Sequence, residues 1–305
     1  MRRTWFGSAI AAKVRLGIVG AMAGWLLTPA QMSGQVSGQA SGQTQSRSGQ
    51  TAVTRTPDGQ PDFQGFWATD AYTADMETGL PDDETVTLQG QARPDRAKAV
   101  SAVIDPPDGL IPYQPWAAAR RVSIPSFRRG ETSRGKPSTV RDIRPRTFCL
   151  HGPPRSMFTD FQVVQTAGSV VLAWEFNHAY RLIPLNGGPR IAPNVKLAMG
   201  DSRGRWEGNT LVVDTTNLND WDWFDYTGTF RTAAMTLVER FTITDANTMQ
   251  YRATIEDPNV FTRPWTFQLM FKRTHTPGDG YELIEHACVE GERGVAALLE
   301  EAARP

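Results

Sequence analysis

Two cysteines and four histidines are all the thiol and imidazole side chains that 305 residues hold. Two cysteines exclude a disulfide-dense scaffold and any four-cysteine zinc or iron–sulfur site. No His-x-His, His-Glu-x-x-His or EF-hand loop occurs, and there is no phosphate-binding glycine loop, dinucleotide signature or haem motif. No metal and no cofactor is therefore expected. An excess of basic charge is also missing. The chain has 32 Lys and Arg against 32 Asp and Glu. Four of the basic residues (Arg2, Arg3, Lys13, Arg15) and none of the acidic ones precede residue 31, so the remainder carries 28 basic against 32 acidic groups. That balance argues against a nucleic-acid partner, because phosphate neutralisation needs clustered Lys and Arg in excess.

A membrane-spanning run is lacking too. The apolar stretch 16–27 (LGIVGAMAGWLL) is twelve residues long, and a spanning helix needs about 20. It follows a basic, acid-free start and precedes Thr28-Pro29-Ala30. That order of basic, apolar and small residues reads as a secretory signal over 1–30. Arg2-Arg3 leaves general and twin-arginine export both open. The expected location is periplasmic or secreted, with no stable membrane span once the signal is removed. Residues 31–55 repeat Ser-Gly-Gln at 33–35, 37–39, 41–43 and 48–50, and read as a flexible linker.

What is present is a β pattern. Apolar residues make up 40% of the chain and aromatics 10%, enough for a real core. Residues 56–305 read as one domain. Phe63-Gln64-Gly65-Phe66-Trp67 is a short aromatic, strand-like entry. Residues 70–147 are an irregular wrapper with one helix expected near 86–103. The core is placed at 161–289. Strand-like runs fall at 161–166, 169–175, 179–185, 203–206, 210–216, 235–244, 248–256, 264–273 and 281–288. Turn signals such as Asn186-Gly187-Gly188, Glu207-Gly208-Asn209 and Asp245-Ala246-Asn247 separate them. Short gaps make neighbours antiparallel. The expected fold is mainly β: an antiparallel up-and-down barrel or a strongly curved sheet, with an irregular N-terminal wrapper and a short C-terminal helix over 295–303.

Several segments together resemble a large group of secreted proteins from environmental bacteria. They are Pro61-Asp62-Phe63-Gln64-Gly65-Phe66-Trp67, Gly200-Asp201-Ser202-Arg203-Gly204-Arg205-Trp206-Glu207-Gly208-Asn209-Thr210-Leu211-Val212-Val213-Asp214-Thr215, Val238-Glu239-Arg240-Phe241, Glu256-Asp257-Pro258 with Arg263-Pro264-Trp265, and Cys288. Asn209 departs from the Asp expected in that turn, which removes any carboxylate chemistry there. The resemblance spans most of 57–292 and implies a secreted protein, but no particular reaction. The strand pattern is also similar to calycin-like, ligand-holding barrels, by analogy of architecture alone.

Candidate chemistry follows from residue types. Cys149 and Cys288 bracket the core, and an oxidising compartment favours a disulfide between them over a catalytic thiol. Gly200-Asp201-Ser202-Arg203-Gly204 matches G-x-S-x-G, yet a hairpin turn follows where a nucleophile elbow needs a helix. The glycines read better as a bend, with Asp201 capping a turn. His178, between two apolar strands, is the expected proton-transfer residue, against a plain turn histidine. His151 and His275 read as solvent-facing. Adjacent strand residues face opposite ways, so one of Glu239 and Arg240 should point inward. Glu239 or Glu256 is the expected partner carboxylate, paired with Arg205, Arg240 or Arg263. Arg205 or Arg263 would hold an anionic group. Trp221, Trp223 and Tyr226, with Trp265, would contact or cover a flat ligand, although a loop that merely caps the core fits as well. Asp220, Asp222 and Asp225 lack the glycine turn and final Glu of a calcium loop.

The function expected from these residues is acid–base catalysis on a small molecule: elimination, isomerisation or hydrolysis, at the mouth or in the interior of the barrel. A non-catalytic carrier of an apolar molecule and a polysaccharide or cell-surface binding module are the alternatives.

Overall fold

The computed structural model describes residues 53–69, 73–77, 80–81, 100–124, 139–142, 149–150, 152–154, 157, 159–221, 223–225, 227–284 and 300. The signal over 1–30, most of the 31–55 linker, Tyr226, Asp222, Cys288, His151 and all of the C-terminal helix except Glu300 lie outside these residues. So does the partner that Cys149 was expected to have.

Apolar alternation builds the strands. β1 is Gly65–Thr69, β2 Thr73–Asp75, β3 Leu80–Pro81, β4 Val103–Asp105, β5 Phe161–Gln165, β6 Ser169–Trp174 and β7 Tyr180–Pro184. β8 is Asp201–Glu207, β9 Thr210–Thr216, β10 Thr236–Asp245, β11 Thr248–Glu256 and β12 Trp265–His275. On β12, Trp265, Phe267, Leu269 and Phe271 are buried while the residues between them are less so, the period-two signature of a wall with one dry face. β2 and β3 form a separate small hairpin.

The other ten strands form one nearly closed, barrel-like antiparallel sheet. Its path runs β7-β6-β5-β1-β12-β11-β10-β9-β8, with β4 added beside β12. Nine strands lie on this path, each antiparallel to the next, so the two at its ends run in the same direction. The seam between β7 and β8 is therefore parallel. Its register confirms this: Arg181 reaches Ser202, while Gly204 faces Ile183 and Leu185. A Cβ at 204 would stand 2.8 Å from Ile183 Cγ2 and 2.7 Å from Leu185 Cδ2. Side chains close this seam where no backbone ladder does.

The interior is filled with rings. Tyr251 packs on Phe241 at 4.9 Å and on Phe267 at 5.7 Å between centroids, and Phe161 meets Phe271 at 5.1 Å. Trp67, Trp174 and Trp265 are fully buried. Each such side chain contributes roughly 1.5–3 kcal/mol by leaving water.

The N-terminal wrapper is more ordered than its composition suggests. β1 stands inside the wall between β5 and β12, so the core begins well before residue 161. Pro115–Ser123 forms a helix, α1, with Pro115 in its first turn, Ala117 buried, and Arg120 and Arg121 in the last turn. Val103, expected in a helix, lies in β4 against Phe267 of β12. Tyr281–Ile284, expected to start a ninth strand, has no regular structure. The reason is positional: β12 already has β1 on one side and β11 on the other, so no edge is left for a hairpin partner.

Candidate functional site

The barrel interior holds a polar network around a buried ion pair. Arg181 on β7 is 2% exposed and Glu239 on β10 is 0% exposed. Arg181 Nη1 donates to Glu239 Oε1 at 3.0 Å, and Nη2 donates to Glu239 Oε2. Nη2 also meets Thr215 Oγ1 at 2.6 Å, and Nε donates to Ser202 Oγ at 2.9 Å. The Tyr251 hydroxyl donates to Glu239 Oε1 at 2.8 Å. Burial, reinforced by the Glu239 charge, pushes the Tyr251 hydroxyl well above the ordinary tyrosine range. Five strands thus meet on one ion pair, β11 at the Glu239 carboxylate and β8 and β9 at the Arg181 guanidinium, and the charges are paired as burial demands. Its role is to join the two ends of the sheet.

Most of the motif residues hold the frame. Ser202 of the G-x-S-x-G match is the second residue of β8 and accepts from Arg181. Asp201 Oδ2 accepts the Ile191 N–H at 3.0 Å. The Asn209 side-chain oxygen accepts from Arg55 at 3.0 Å. Asp257 takes the Thr232 N–H at 2.6 Å and its hydroxyl at 2.9 Å. Arg273 plugs one barrel end. It lies over the Trp67 ring at 4.4 Å and donates to the carbonyls of Asp62, Gln64 and Ala246.

The residues singled out for chemistry do not converge. Glu239 points inward and Arg240 outward, as alternation requires. The partner of Glu239, however, is Arg181, not Arg205, Arg240 or Arg263. Arg205 sits on the outer surface with Glu207 at 3.0 Å and with Asp214. Arg240 reaches Glu207 at 2.8 Å. Arg263 pairs with Asp105 at 3.1 Å. Glu256 is exposed at the end of β11. His178 is exposed in the β6–β7 connection, at φ 47°, whereas Glu239 is fully buried. Trp265 is core, against Phe261 and Phe267. Trp223 is buried, while Trp221 lies 40% exposed under Arg141 at 4.6 Å. Asp225 is spent inside that loop on the Thr227 and Thr229 N–H groups, each at 3.0 Å. The loop therefore caps the core. Cys149 is buried.

An open site lies elsewhere, on the outer face of β1. There Trp67 points into the barrel and Phe66 points out. A bulge on β12 opposite Phe66 and Trp67 shifts the register, so Phe66 pairs with His275 and Trp67 with Arg273. The shift turns His275 to the outside, with its ring edge-on to Phe66 at 6.1 Å. The chain then doubles back through Thr276–Gly280 and lays Tyr281 parallel on His275, at 4.0 Å between centroids. Tyr281 also stands edge-on to Phe66 at 4.7 Å. Between this segment and the wall is a cleft of about 170 Å³, lined by Phe66, Phe161, Asp160, Glu175, His275 and Tyr281 among others.

Its polar groups are oriented. His275 Nδ1 lies 3.1 Å from Asp279 Oδ2. N–H groups of Tyr281 and Thr276, with the imidazole beside them, hold the Asp279 carboxyl below the usual carboxylate range. An ionised carboxylate only accepts, so Nδ1 carries a proton, and in the neutral imidazole Nε2 holds the lone pair. The Tyr281 hydroxyl donates to Glu175 Oε1 at 3.1 Å, and so does the Ile284 N–H at 3.1 Å. Burial and Glu175 raise the Tyr281 hydroxyl above its ordinary value. Nε2 of His275 and Oε2 of Glu175 have no partner among the described residues. An oriented imidazole with a free nitrogen at a cleft is the arrangement of a general base or acid.

Sequence reading missed Arg181 and His275. Arg181 was legible, because it shares parity with Ile183 on an apolar strand. The turning of His275 depends on a bulge, which residue types alone do not reveal. Among the described residues, no group of His, Cys, Asp and Glu is arranged to hold a metal ion. No helix there is long and apolar enough to cross a membrane. Comparison with family models, with curated proteins and with solved structures gave no match to this chain.

Proposed function

We propose that this protein is an exported enzyme that moves a proton on a small organic molecule, at the outer cleft beside β1 rather than inside the barrel. The observation that carries this reading is the His275–Asp279 pair: Nδ1 tied to a carboxylate at 3.1 Å, with His275 itself lining the cleft. His275 takes or returns the proton. Asp279 fixes its tautomer and stabilises the imidazolium that forms. Tyr281, kept protonated, supplies a hydroxyl donor, and Phe66 and Phe161 exclude water from one side of the ligand. Aromatic side chains and the Arg181–Glu239 network occupy the barrel interior. Export is supported by residues 1–30, and the Ser-Gly-Gln segment serves as a linker.

The test is a panel of nitrophenyl esters and of carbonyl compounds followed for α-proton exchange in deuterium oxide, run with wild type, His275→Gln and His178→Gln. Removing a general base costs about 10²–10⁴ in rate. His275→Gln should lose that much, and His178→Gln should retain activity. Turnover that persists in His275→Gln, or none by wild type across the panel, overturns the reading.

A further inference from the structure

We infer that Glu175 is the positioning residue of the outer cleft: it latches the returning segment 276–284, and its capture and release of that segment control access to His275. This rests on the cleft being the site of action and adds how that site opens. The segment crosses the outer face of the sheet. It leaves β12 at His275, passes over Phe66 of β1 and reaches Glu175, one residue beyond the end of β6. Those strands follow one another as β6-β5-β1-β12, so the crossing spans three strand spacings, about 14 Å.

The two ends of the segment are held differently. At the near end Asp279 accepts the Thr276 N–H at 2.9 Å and the Tyr281 N–H at 3.0 Å, and it lies 3.1 Å from His275 Nδ1. Beyond that turn, residues 281–284 form no regular structure. Burial holds them weakly, since Tyr281 is 37% and Ile284 68% exposed. Tyr281 touches His275 and Phe66 through its ring. Two hydrogen bonds tie this stretch to the wall among the described residues, and both end on one atom. The Tyr281 hydroxyl and the Ile284 N–H each donate to Glu175 Oε1 at 3.1 Å. One oxygen therefore decides whether the Tyr281 ring stays on His275. Tyr281 and Leu283 line the cleft opposite Phe66 and Phe161, so freeing them from Glu175 widens it. The His275–Asp279 pair belongs to the near end and stays in place. A gate of this kind admits a ligand when open and excludes water when closed.

The test reads the His275 ring by proton NMR in the full chain, with no substrate present. A ring stacked at 4.0 Å moves the imidazole protons upfield. His275→Gln identifies the signal, and Tyr281→Ala gives its position in the uncovered imidazole. Glu175→Ala should move the signal most of the way to the Tyr281→Ala position. Glu175→Gln, whose amide oxygen still accepts from both donors, should keep it at the wild-type position. Tyr281→Phe keeps the ring, loses one of the two bonds and should fall between. On any compound of the panel that is turned over, Glu175→Ala should lose about tenfold in kcat/KM, the worth of two hydrogen bonds, and Glu175→Gln should recover it. A signal unchanged in both Glu175→Ala and Tyr281→Phe overturns the inference. So does Glu175→Gln behaving like Glu175→Ala, or a Tyr281→Ala signal identical with wild type. The outcome is separable from the catalytic reading. A signal that follows Glu175 in a protein that turns nothing over keeps the latch and removes the base. His275-dependent turnover with a signal indifferent to Glu175 does the reverse.

Discussion

Arg181 and Glu239, 58 residues apart, form a two-pronged ion pair across the barrel interior, with Nη1 to Oε1 at 3.0 Å and Nη2 on Oε2. The pair ties β7, one end of the sheet path, to β10, two strands from the other end. Ser202 and Thr215 add β8 and β9 to the same guanidinium. The seam lacks a backbone ladder, so this network is what holds it shut.

Breaking the pair should be far costlier than replacing it. Glu239→Ala leaves a buried, uncompensated guanidinium, and such losses run to about 3–5 kcal/mol. Arg181→Met with Glu239→Leu removes both charges and should cost much less than the single variant. Urea unfolding of the two variants checks this. A loss below about 1 kcal/mol in Glu239→Ala would mean that water reaches Arg181 and that the seam is open.

Glycines of the β8–β9 hairpin should divide sharply. Gly200 has φ 67°, and a Cβ there would stand 2.7 Å from the Thr216 carbonyl oxygen. Backbone cannot move aside as a side chain can. Gly208 has φ 61° with nothing within 4 Å. Gly208→Ala therefore carries only the left-handed penalty, about 1–2 kcal/mol. Gly200→Ala carries that penalty plus a clash and should be clearly the less stable of the two. Thermal melts compare them directly. Equal midpoints would show that the hairpin base shifts freely.

Arg273 should be worth more than its exposure suggests. Its guanidinium serves three backbone carbonyls and covers Trp67, and desolvation lowers its pKa. Arg273→Ala orphans those carbonyls and should cost about 1–3 kcal/mol. Because Arg273 neighbours the bulge that turns His275 outward, the variant should also disturb the cleft. Imidazole NMR of His275 in the variant reads that effect. An unchanged His275 resonance would separate the barrel plug from the cleft.

Strand alternation made the fold legible, because one face of each strand is dry. The run 248–256 matches β11 and 210–216 matches β9, residue for residue. β1 was harder. Its five residues follow a turn-rich stretch, and only its insertion between β5 and β12 makes Phe66 and Trp67 parts of a wall. The interior position of Glu239 was also legible from parity, whereas its partner was not. Parity limits which residues face inward, but not which strands oppose each other once a sheet closes. The outer cleft was the least visible feature. It arises from a bulge at His275, which is a tertiary choice, and from a reversal that the Pro277-Gly278-Asp279-Gly280 turn does announce in the sequence.

Alkali should unfold this protein through its tyrosines. Tyr113 and Tyr251 are both raised well above the ordinary range, chiefly by burial, and Tyr281 is raised as well. A group whose pKa is higher folded than unfolded adds stability that is fully present below the unfolded value, here about 10. Above that, the unfolded chain releases the proton while the folded one keeps it, so stability falls as pH rises. Phenolate absorbance followed with pH should show part of the tyrosine signal withheld until a cooperative transition, coincident with loss of near-ultraviolet circular dichroism. Tyr251→Phe should make the alkaline fall shallower while lowering stability at neutral pH, since Glu239 loses a donor. A smooth titration of all tyrosines with no such transition would show that the barrel interior admits solvent and that the Tyr251–Glu239 bond is not shielded.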